Sequence, residues 1–420
     1  MTRLRIAIVG YGSAGQAAAL LLSRDGHAVS VFERVPSPGP VGAGFLLQPT
    51  GLQVLWKMGL LEQVLRHGAP VRRLYGDTPC GRAVMDMRYA GLDERLYGVG
   101  LQRGALFSLL DSAWAGRAQS LLAGHEIVSV DAQAGLLQDR DGRTHGPFDL
   151  VVVADGAASL LRGHVDTPRI DRPYPWGALW CLLPAGDWAH VDELRQRYVG
   201  ARRMIGLLPV GGCPADPTRR LSFFWSLRTD RFADWEAQGL APWREELHRL
   251  WPEAEAVFGG IAGAAQLARA RYRDTLMRRW HGGRVVLIGD AAHAMSPQLG
   301  QGVNMALMDA DALAGALRTQ PPAQALAVFQ RERRAHVWIY QLWSRWLTPL
   351  FQSDGDLAAQ LRDISFLPMG RVQPGRGQML RVLTGTQRGV FGTLPLEPAF
   401  LEAMAAASST PGAVQAAAPA

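Results

Sequence analysis

A glycine-rich turn near the beginning of the chain has the spacing of a diphosphate-binding loop. Gly10, Gly12 and Gly15 form the pattern G-x-G-x-x-G, directly after the apolar run Arg5 to Val9 and before a helical pattern. The first glycine of such a turn permits a tight bend, the second lets the backbone approach a diphosphate, and the third lets helix and strand pack closely. Free N–H groups at the start of the helix then bind the negative charge.

An acidic residue follows the second apolar run, at the position where a dinucleotide-binding motif has an acceptor for the ribose hydroxyls. Glu33 follows a second apolar run, Ala28 to Phe32, and its carboxylate can accept hydrogen bonds from ribose hydroxyls. The alternative is a glycine-rich turn without a ligand, which the order strand, loop, helix, strand and acid disfavours. The pattern therefore predicts an adenine dinucleotide site, without separating NAD from FAD.

Two further acidic residues end later apolar runs. Asp155 ends the run in DLVVVADG, and Asp290 ends the run in RVVLIGD. Ligands of parallel sheets bind at the carboxyl ends of the strands, where such a carboxylate lies beside exposed amides, although Asp-Gly alone is more often a simple turn. Gly300, Gln301 and Gly302 then open another helix with free N–H groups. We therefore predict a second polar clamp, for a long ligand whose other end lies on the first loop.

Composition supports an α/β framework large enough to position these residues. The chain has 420 residues, which is more than one ordinary hydrophobic core accommodates. Of these residues 48% are hydrophobic and 19% are charged, a composition that indicates a folded globular protein. The formal charge of +7 is spread without blocks of like charge, so we expect no nucleic-acid partner. Cys80, Cys181 and Cys213 have no metal-site spacing and indicate a reducing compartment. Without a secretory segment or a long apolar span, a cytoplasmic protein without a metal is expected.

The stretches GYGSAG, DLVVVADG and RVVLIGDAAHAMSPQLGQGVN together resemble the GxGxxG, DG and GD motifs of the single-component (group A) FAD-dependent aromatic monooxygenases. Their order and wide spacing match too, over roughly residues 1 to 380. The resemblance implies the para-hydroxybenzoate hydroxylase fold, in which a Rossmann-like FAD-binding domain carries an inserted antiparallel β-sheet substrate domain and a C-terminal helical segment.

The implied organisation has five parts. They are 1–170 for the first part of the FAD-binding domain, 171–275 for the substrate-binding sheet, 276–320 for the second part of the FAD-binding domain, 321–403 for the helical region and 404–420 for a disordered tail. Alternating aromatic and apolar residues predict strands over Trp176–Leu183, Ala201–Pro209 and Leu221–Arg228. The aromatic helix from Ala323 could contact a membrane surface, but we expect it to pack on the protein. The oligomeric state stays open.

The resemblance also implies roles for individual residues. The FAD-binding set is Gly10, Gly12, Ser13, Ala14, Gly15, Glu33 and Arg34 for the ADP half, Arg103, Asp155 and Asp290 along the molecule, Gly44 beside the flavin, and Gly300, Gly302, Val303 and Asn304 near its ring. Pro297 and Gly300 are assigned to the catalytic turn, and His293 to a structural role. Tyr198, Arg203, Phe223 and Trp225 are candidate substrate contacts, although aromatic residues on such strands are usually core.

The implied reaction has two halves. NAD(P)H reduces FAD, and the reduced flavin reacts with O2 at C4a to give a hydroperoxide that hydroxylates an electron-rich aromatic or polyketide-like molecule. Because no second dinucleotide motif is present, NAD(P)H is expected as a transient co-substrate. A flavin-dependent halogenase is one alternative, weakened because Trp176 to Pro184 reads WGALWCLLP instead of W-x-W-x-I-P. A non-catalytic redox flavoprotein is the other.

Overall fold

The computed structural model describes residues 2–39, 42–114 and 120–409. The strands are β1 Arg5–Val9, β2 Ala28–Glu33, β3 Gly44–Leu47, β4 Ala69–Val71, β5 Arg73–Asp77, β6 Ala83–Arg88, β7 Gly98–Gln102, β8 Leu121–Ala123, β9 Ile127–Asp131, β10 Leu136–Asp139, β11 Thr144–His145, β12 Leu150–Val153, β13 Ile170–Pro184, β14 Glu193–Val199, β15 Arg203–Cys213, β16 Asp216–Arg228, β17 Ala268–Leu276, β18 His281–Gly282, β19 Val285–Leu287, β20 Gln387–Arg388 and β21 Gly392–Thr393.

The helices account for most of the remaining chain. They are α1 Ser13–Arg24, α2 Pro49–Lys57, α3 Leu61–His67, α4 Arg103–Ala113, α5 Phe232–Gln238, α6 Leu240–Leu250, α7 Glu255–Phe258, α8 Asp290–His293, α9 Gly302–Thr319, α10 Pro322–Phe351, α11 Asp356–Arg371, α12 Gly375–Thr384 and α13 Pro398–Ser409. None of these described helices is both long enough and apolar enough to cross a bilayer.

A six-stranded sheet forms the nucleotide-binding half, in the order β18-β19-β12-β1-β2-β8. All neighbouring strands are parallel except β18 and β19. Strand β12 is a continuous apolar run that is buried throughout, as expected for a parallel strand covered on both faces. Helices α1 and α9 pack against each other on this sheet, and their buried faces belong to the same apolar core. The predicted α/β fold class is confirmed.

A second sheet has seven strands in the order β17-β13-β16-β15-β14-β5-β6. It is antiparallel except for the parallel pair β14 and β5. Strands β13 to β17 lie where the sequence predicted the inserted sheet, but β5 and β6 come from the segment assigned to the first part of the FAD-binding domain. Alternation alone could not find them, because their pairing joins residues more than a hundred positions apart. The domain boundaries after residues 170, 275 and 320 stay predictions.

The two faces of the seven-stranded sheet have different neighbours. The outer face packs against α5, α6 and α7 in a cluster that includes Phe223 and Trp225. The inner face turns toward the nucleotide-binding half, since the hydroxyl of Ser222 accepts a hydrogen bond from the N–H of Gly44 at 3.1 Å. Helices α10, α11 and α12 cover part of this inner face. Any ligand cavity between the two halves must therefore use inner-face side chains.

The end of the chain is more ordered than its composition suggests. Residues 404–409 were predicted to begin a disordered tail, but they belong to α13, and Met404 is fully buried in the main core. The prediction was wrong there because an alanine-rich run is a good helix former once an apolar side chain anchors it. Residues 410–420 lie outside the described residues.

Candidate functional site

The motifs found in the sequence converge at one edge of the six-stranded sheet. Val9 pairs with Phe32 on one side and with Val153 on the other, and Val153 pairs with Leu287. The glycine loop, Glu33, Asp155 and Asp290 each follow one of these residues within a few positions. All four therefore lie at the carboxyl edge, which is the ligand edge of a parallel sheet.

The first loop has the glycines that its geometry requires. Gly10 has a φ of +102°, and a Cβ there would collide with the carbonyl of Ala154. A Cβ on Gly15 would collide with the carbonyl of Gly10, so the start of α1 lies close against β1. By contrast, a Cβ on the exposed Gly12 would meet no atom within 4 Å. Gly10 and Gly15 therefore serve close packing, and the backbone at Gly12 is open to a ligand.

Backbone N–H groups, one of them from the glycine loop, hold the carboxylate of Glu33 in place. Its carboxylate accepts the N–H of Tyr11 at 2.8 Å and the N–H of Val35 at 2.9 Å. These bonds fix the carboxylate beside Gly12 at the end of β2. Among the described residues no side chain caps α1, so the N–H groups of Ser13 and Ala14 keep their capacity to bind an anion. Arg34 is exposed next to this edge.

Asp155 is a half-buried carboxylate with one buried oxygen that has unused hydrogen-bonding capacity. Its Oδ2 accepts the N–H of Leu160 at 3.2 Å, while its buried Oδ1 has no hydrogen-bond partner among the described residues. Burial raises the pKa of this carboxyl group, although the hydroxyl of Ser159 and the charge of Arg162 act in the opposite direction. An orphaned buried oxygen of this kind is unfavourable unless a ligand donates to it.

Arg162 is a site residue that the sequence interpretation missed. It is 3% exposed, and its guanidinium donates to the carbonyl of Ala157 at 2.6 Å, to the hydroxyl of Thr275 at 2.6 Å and to the carboxylate of Asp171 at 3.1 Å. It also approaches the carbonyl of Asp290 at 3.5 Å. Arg162 therefore joins the Asp155 loop, the Asp290 turn and the seven-stranded sheet. The one available signal was a single arginine closing the run ADGAASLLR.

The turn at Asp290 is fixed from behind by a buried carboxylate. Asp309 of α9 accepts the N–H of Gly289 at 2.8 Å, Nε2 of His293 at 2.6 Å and Nε of Arg333 at 2.7 Å. Burial favours the neutral form of Asp309, but the charges of His293 and Arg333 outweigh it and hold the pKa well below its usual range. His293 is thus bound into the protein interior, while the carboxylate of Asp290 is exposed at the ligand edge.

The same network reaches the C-terminal region. Arg333 of α10 donates to Nδ1 of His336 at 2.8 Å, and Nε2 of His336 donates to the carbonyl of Gly385 at 2.7 Å. Burial lowers the pKa of His336 to about 3, assisted by the charge of Arg333, so His336 is neutral at ordinary pH. Arg333 and His336 lie one helical turn apart on α10, but their pairing with Asp309 and with Gly385 could not be predicted from the sequence, because these partners belong to distant segments.

The second clamp is a short turn followed by a helix start. Pro297 begins a 3-10 turn, and Gly300 ends it with a φ of +62°. A Cβ on Gly300 or Gly302 would meet nothing within 4 Å, and among the described residues no side chain caps α9. Val303 is half-buried in the first turn of α9. The backbone N–H groups at this end are therefore available to a ligand, as they are at α1.

Asn304 holds this turn from inside instead of presenting its side chain to a ligand. Its Oδ1 accepts the N–H of Gln48 at 2.9 Å, and its Nδ2 donates to the carbonyls of Gly300 at 3.1 Å and Leu46 at 3.3 Å. Because the residue is fully buried, only its backbone N–H can contribute to the predicted FAD contact.

Gly44 and Arg103 lie near one another, but Gly44 is buried and Arg103 is exposed. Gly44 is buried at the start of β3, and a Cβ there would collide with Val210 and crowd Ser222. Gly44 is therefore a packing glycine, whereas a side chain at Gly42 would meet the guanidinium arm of Arg103. Arg103 itself is exposed at the start of α4.

The four candidate substrate residues do not form a cavity. Phe223 contacts Trp243 on the outer face, and Trp225 lies under Arg203, which pairs with Glu246 of α6. The alternation of β16 turns the neighbouring side chains, Ser222 and Phe224, to the inner face instead.

Tyr198 packs in another part of the inner face. Its ring contacts Phe351 and Arg362 beneath α10 and α11, where the sheet is covered. The assignments of Tyr198, Phe223 and Trp225 followed the aromatic pattern, which does not tell which face of the sheet a side chain occupies.

Inner-face residues of β13, β16 and β17 form an aromatic group that the sequence interpretation did not single out. Nε1 of Trp180 donates to the hydroxyl of Tyr272 at 2.9 Å, and the ring of Trp180 lies 5.1 Å from that of Phe224. Burial raises the pKa of Tyr272 to about 12, against the lowering effects of the Trp180 hydrogen bond and of the Arg103 charge. This protonated phenol and the two rings face the half of the molecule that carries the motifs.

The arrangement fits one elongated anionic dinucleotide. Two uncapped helix starts lie at the same sheet edge, and between them is an orphaned carboxylate oxygen. Gly12, Gly156, Gly300 and Gly302 leave open space along the path. Helix N-termini suit phosphate oxygens and carboxylates suit hydroxyl groups, so the donor and acceptor set matches FAD.

Comparison with known proteins gives the same classification. A family model described as an FAD binding domain matches residues 3–342. The 3-amino-4-hydroxybenzoate 2-monooxygenase of Streptomyces cremeus is 31% identical over 359 residues, which are 78% of this chain and 82% of that protein.

Solved structures are similar over most of the chain. P. aeruginosa PqsL in complex with 2-aminobenzoylacetate is 26% identical with a TM-score of 0.72, and the match covers 85% of this chain and 99% of that one. Klebsiella pneumoniae HpxO complexed with FAD and uric acid is 22% identical with a TM-score of 0.75, covering 90% and 97%, which establishes a common fold.

Proposed function

Because the chain belongs to the FAD-binding-domain family of single-component flavin-dependent aromatic monooxygenases, we propose that it hydroxylates a small electron-rich aromatic bound between its two sheets. The enzyme is an FAD-dependent monooxygenase, and family membership favours this class over the halogenase and non-catalytic alternatives. The observation that carries the proposal is the convergence of the three motifs opposite the inner-face aromatics Trp180, Phe224 and Tyr272.

The proposed FAD lies along the carboxyl edge of the six-stranded sheet. Gly12 and the first N–H groups of α1 hold the diphosphate, and Glu33 accepts from the ribose. Asp290 accepts from the ribityl hydroxyls, and the start of α9 lies at the ring end. Asp155 contributes its orphaned oxygen between these ends.

When bound, FAD supplies electron transfer from NAD(P)H and the activation of O2. The residues of this chain position the reactants and exclude water. Arg162 and Asp309 hold the loops of the site in position. Arg162 donates hydrogen bonds to the carbonyls of Ala157 and Asp290, and Asp309 accepts hydrogen bonds from Gly289 and His293. NAD(P)H is proposed as a visiting co-substrate, and O2 as the oxidant.

The inner face suits a planar substrate with a polar substituent. Since Trp180 donates to the oxygen of Tyr272, the phenol hydrogen of Tyr272 can be donated to a ligand, and its pKa of about 12 keeps that hydrogen in place at neutral pH. The rings of Trp180 and Phe224 offer apolar contact. Relatives that act on or bind 3-amino-4-hydroxybenzoate and 2-aminobenzoylacetate support an aromatic carrying amino or hydroxyl groups.

The first experiment measures NAD(P)H consumption by the FAD-loaded enzyme with aminohydroxybenzoates, aminobenzoyl compounds, quinolones and phenols. The expected result is that one class accelerates consumption and yields a product that has gained one oxygen atom. If FAD is bound and none of these aromatics accelerates consumption or is hydroxylated, the proposal is refuted.

Variants then test the location of the substrate. Tyr272→Phe removes the phenol that is proposed to donate to the substrate, and Trp180→Phe removes the hydrogen bond that orients this phenol. We expect both to increase the substrate KM, by about 2- to 12-fold for Tyr272→Phe because it loses a hydrogen bond worth about 0.5–1.5 kcal/mol. FAD content should not change. Trp235→Phe is the matched control, because its indole lies in the outer cluster. Equal KM values for all three variants would place the substrate elsewhere.

A further inference from the structure

A cluster of two histidines and one aspartate lies beside the nucleotide-binding edge, outside the residues assigned above. His125 follows β8, Asp139 ends β10 and His145 ends β11. One ligand atom from each side chain lies within 4.8 Å of the other two. No local pattern indicates the cluster, because its members are separated by thirteen and five residues, a spacing that matches no metal motif.

Both imidazoles point at the same carboxylate oxygen. Nε2 of His145 lies 2.9 Å from Oδ2 of Asp139, and Nδ1 of His125 lies 3.4 Å from that atom. The second distance is longer than a good hydrogen bond between nitrogen and oxygen. In a tetrahedral zinc site with bonds near 2.0–2.1 Å, neighbouring ligand atoms are about 3.3 Å apart. The two observed separations lie on either side of that value.

The carboxylate is held so that Oδ2 faces the histidines. Oδ1 of Asp139 accepts the N–H of Arg143 at 2.9 Å, and the N–H of Asp139 donates to the carbonyl of Arg143 at 3.0 Å. The nearby Glu126 and Arg140 neutralise each other through a hydrogen-bonded ion pair. Such secondary hydrogen bonds orient metal ligands, and the paired charges leave the single negative charge of Asp139 to attract a cation.

The two histidines are partly exposed, so the cluster is accessible to solvent. The side chain of Asp139 is 2% exposed, whereas those of His125 and His145 are 26% and 18% exposed. The imidazoles stand nearly perpendicular, with ring centroids 5.5 Å apart, and can turn toward a common point. A metal there would take two nitrogens and one oxygen from the protein, with a water in the fourth position on the exposed side.

From this geometry we propose that His125, Asp139 and His145 bind a divalent transition metal, for which Zn²⁺ is the ion to test. Two imidazoles and a carboxylate are a donor set that zinc accepts. This proposal departs from the expectation, based on the sequence, that the protein has no metal site.

The site is connected to the adenosine end of the proposed FAD path. The N–H of His125 donates to the carbonyl of Glu33 at 2.9 Å, and the ring of Phe32 lies 5.0 Å from that of His145. A metal would therefore join β8, β10 and β11 to the end of β2. We infer that the metal stabilises this edge and increases FAD retention, an effect that depends on the proposed position of FAD, whereas metal binding does not.

The test uses untagged, FAD-loaded enzyme that has been treated with a chelator and dialysed. Calorimetric titration with ZnCl2 should give one site per chain, and Zn²⁺ a hundredfold above its Kd should raise the melting temperature by about 3 °C. His125→Ala is the main variant, since this side chain is the most exposed of the three and, among the described residues, its one polar side-chain contact is the long 3.4 Å approach to Asp139. It should weaken Zn²⁺ binding by at least about 100-fold, because even indirect metal partners cost 10- to 100-fold.

His248→Ala is the matched control, because Nδ1 of His248 also lies near a carboxylate, 2.9 Å from Glu255, but no third ligand joins the pair in the described part of the chain. It should bind Zn²⁺ like the parent enzyme. The proposal is overturned if the parent binds no stoichiometric Zn²⁺, or if His125→Ala and His145→Ala both bind it with the parent's affinity. FAD retention is measured separately by flavin fluorescence with and without Zn²⁺. Unchanged retention would overturn only the link to FAD.

Discussion

Asp309 offers the sharpest test of how the Asp290 turn is held. The carboxylate is fully buried and joins Gly289, His293 and Arg333 through three hydrogen bonds of 2.6–2.8 Å. Asp309→Asn keeps the volume but removes the negative charge, which leaves the guanidinium of Arg333, whose side chain is 5% exposed, without its ionic partner. Breaking one half of a buried ion pair costs about 3–5 kcal/mol of unfolding free energy.

A matched control lies two residues further along the same helix. Asp311→Asn removes an equal charge whose contact with Lys57 is 3.3 Å long, with side chains 23% and 35% exposed. Exposed pairs of this kind contribute at most about 1 kcal/mol. Urea denaturation of both variants, followed by circular dichroism and flavin fluorescence, should separate them by at least about 2 kcal/mol.

A double variant identifies the cause of the loss. If the unpaired charge of Arg333 is responsible, Asp309→Asn combined with Arg333→Met should lose less stability than the sum of the two single variants. The reasoning is refuted if Asp309→Asn lies within about 1 kcal/mol of Asp311→Asn. Strictly additive single variants would show that ionic pairing is not what stabilises the turn.

Further predictions concern the two ends of the network and one glycine. Asp290→Ala should reduce FAD retention with little change in the melting temperature of the flavin-free protein, whereas His293→Ala should lower that temperature; equal effects on both readouts would contradict their different placement. The pKa of His336 is lowered to about 3 in the folded protein. Below about pH 6.5 the imidazole is protonated in the unfolded chain but still neutral in the folded protein, so the free energy of unfolding decreases as the pH falls from about 6.5 toward 3, by up to about 1.4 kcal/mol per pH unit. His336→Gln should flatten this dependence in pH-resolved thermal melts, and the exposed His248→Gln should leave it unchanged. Gly44→Val should destabilise the protein by about 1–3 kcal/mol through collision with β15 and β16, and normal stability with slow flavin reduction in rapid mixing would instead support a passage for the ring at this loop.

The sequence alone determined the local units that bind a dinucleotide. The βαβ unit around Gly10 to Gly15, the acid at Glu33 and the strand ends before Asp155 and Asp290 are encoded within short stretches, because a buried strand, a tight turn and a helix start each have a local residue pattern. Parallel strands also share one ligand edge, so their order along the chain was enough to predict that these motifs meet.

Only the tertiary structure decided which side chains face the ligand and which brace the site. A shift of one residue moves a strand's side chains to the opposite face, and this separates Phe223 and Trp225 in the outer core from Phe224 on the inner face. Arg162 and Asp309 bind partners from distant elements, and such pairings have no local signature. The cluster of His125, Asp139 and His145 exists for the same reason, since strand packing brings together residues whose spacing in the chain carries no metal pattern.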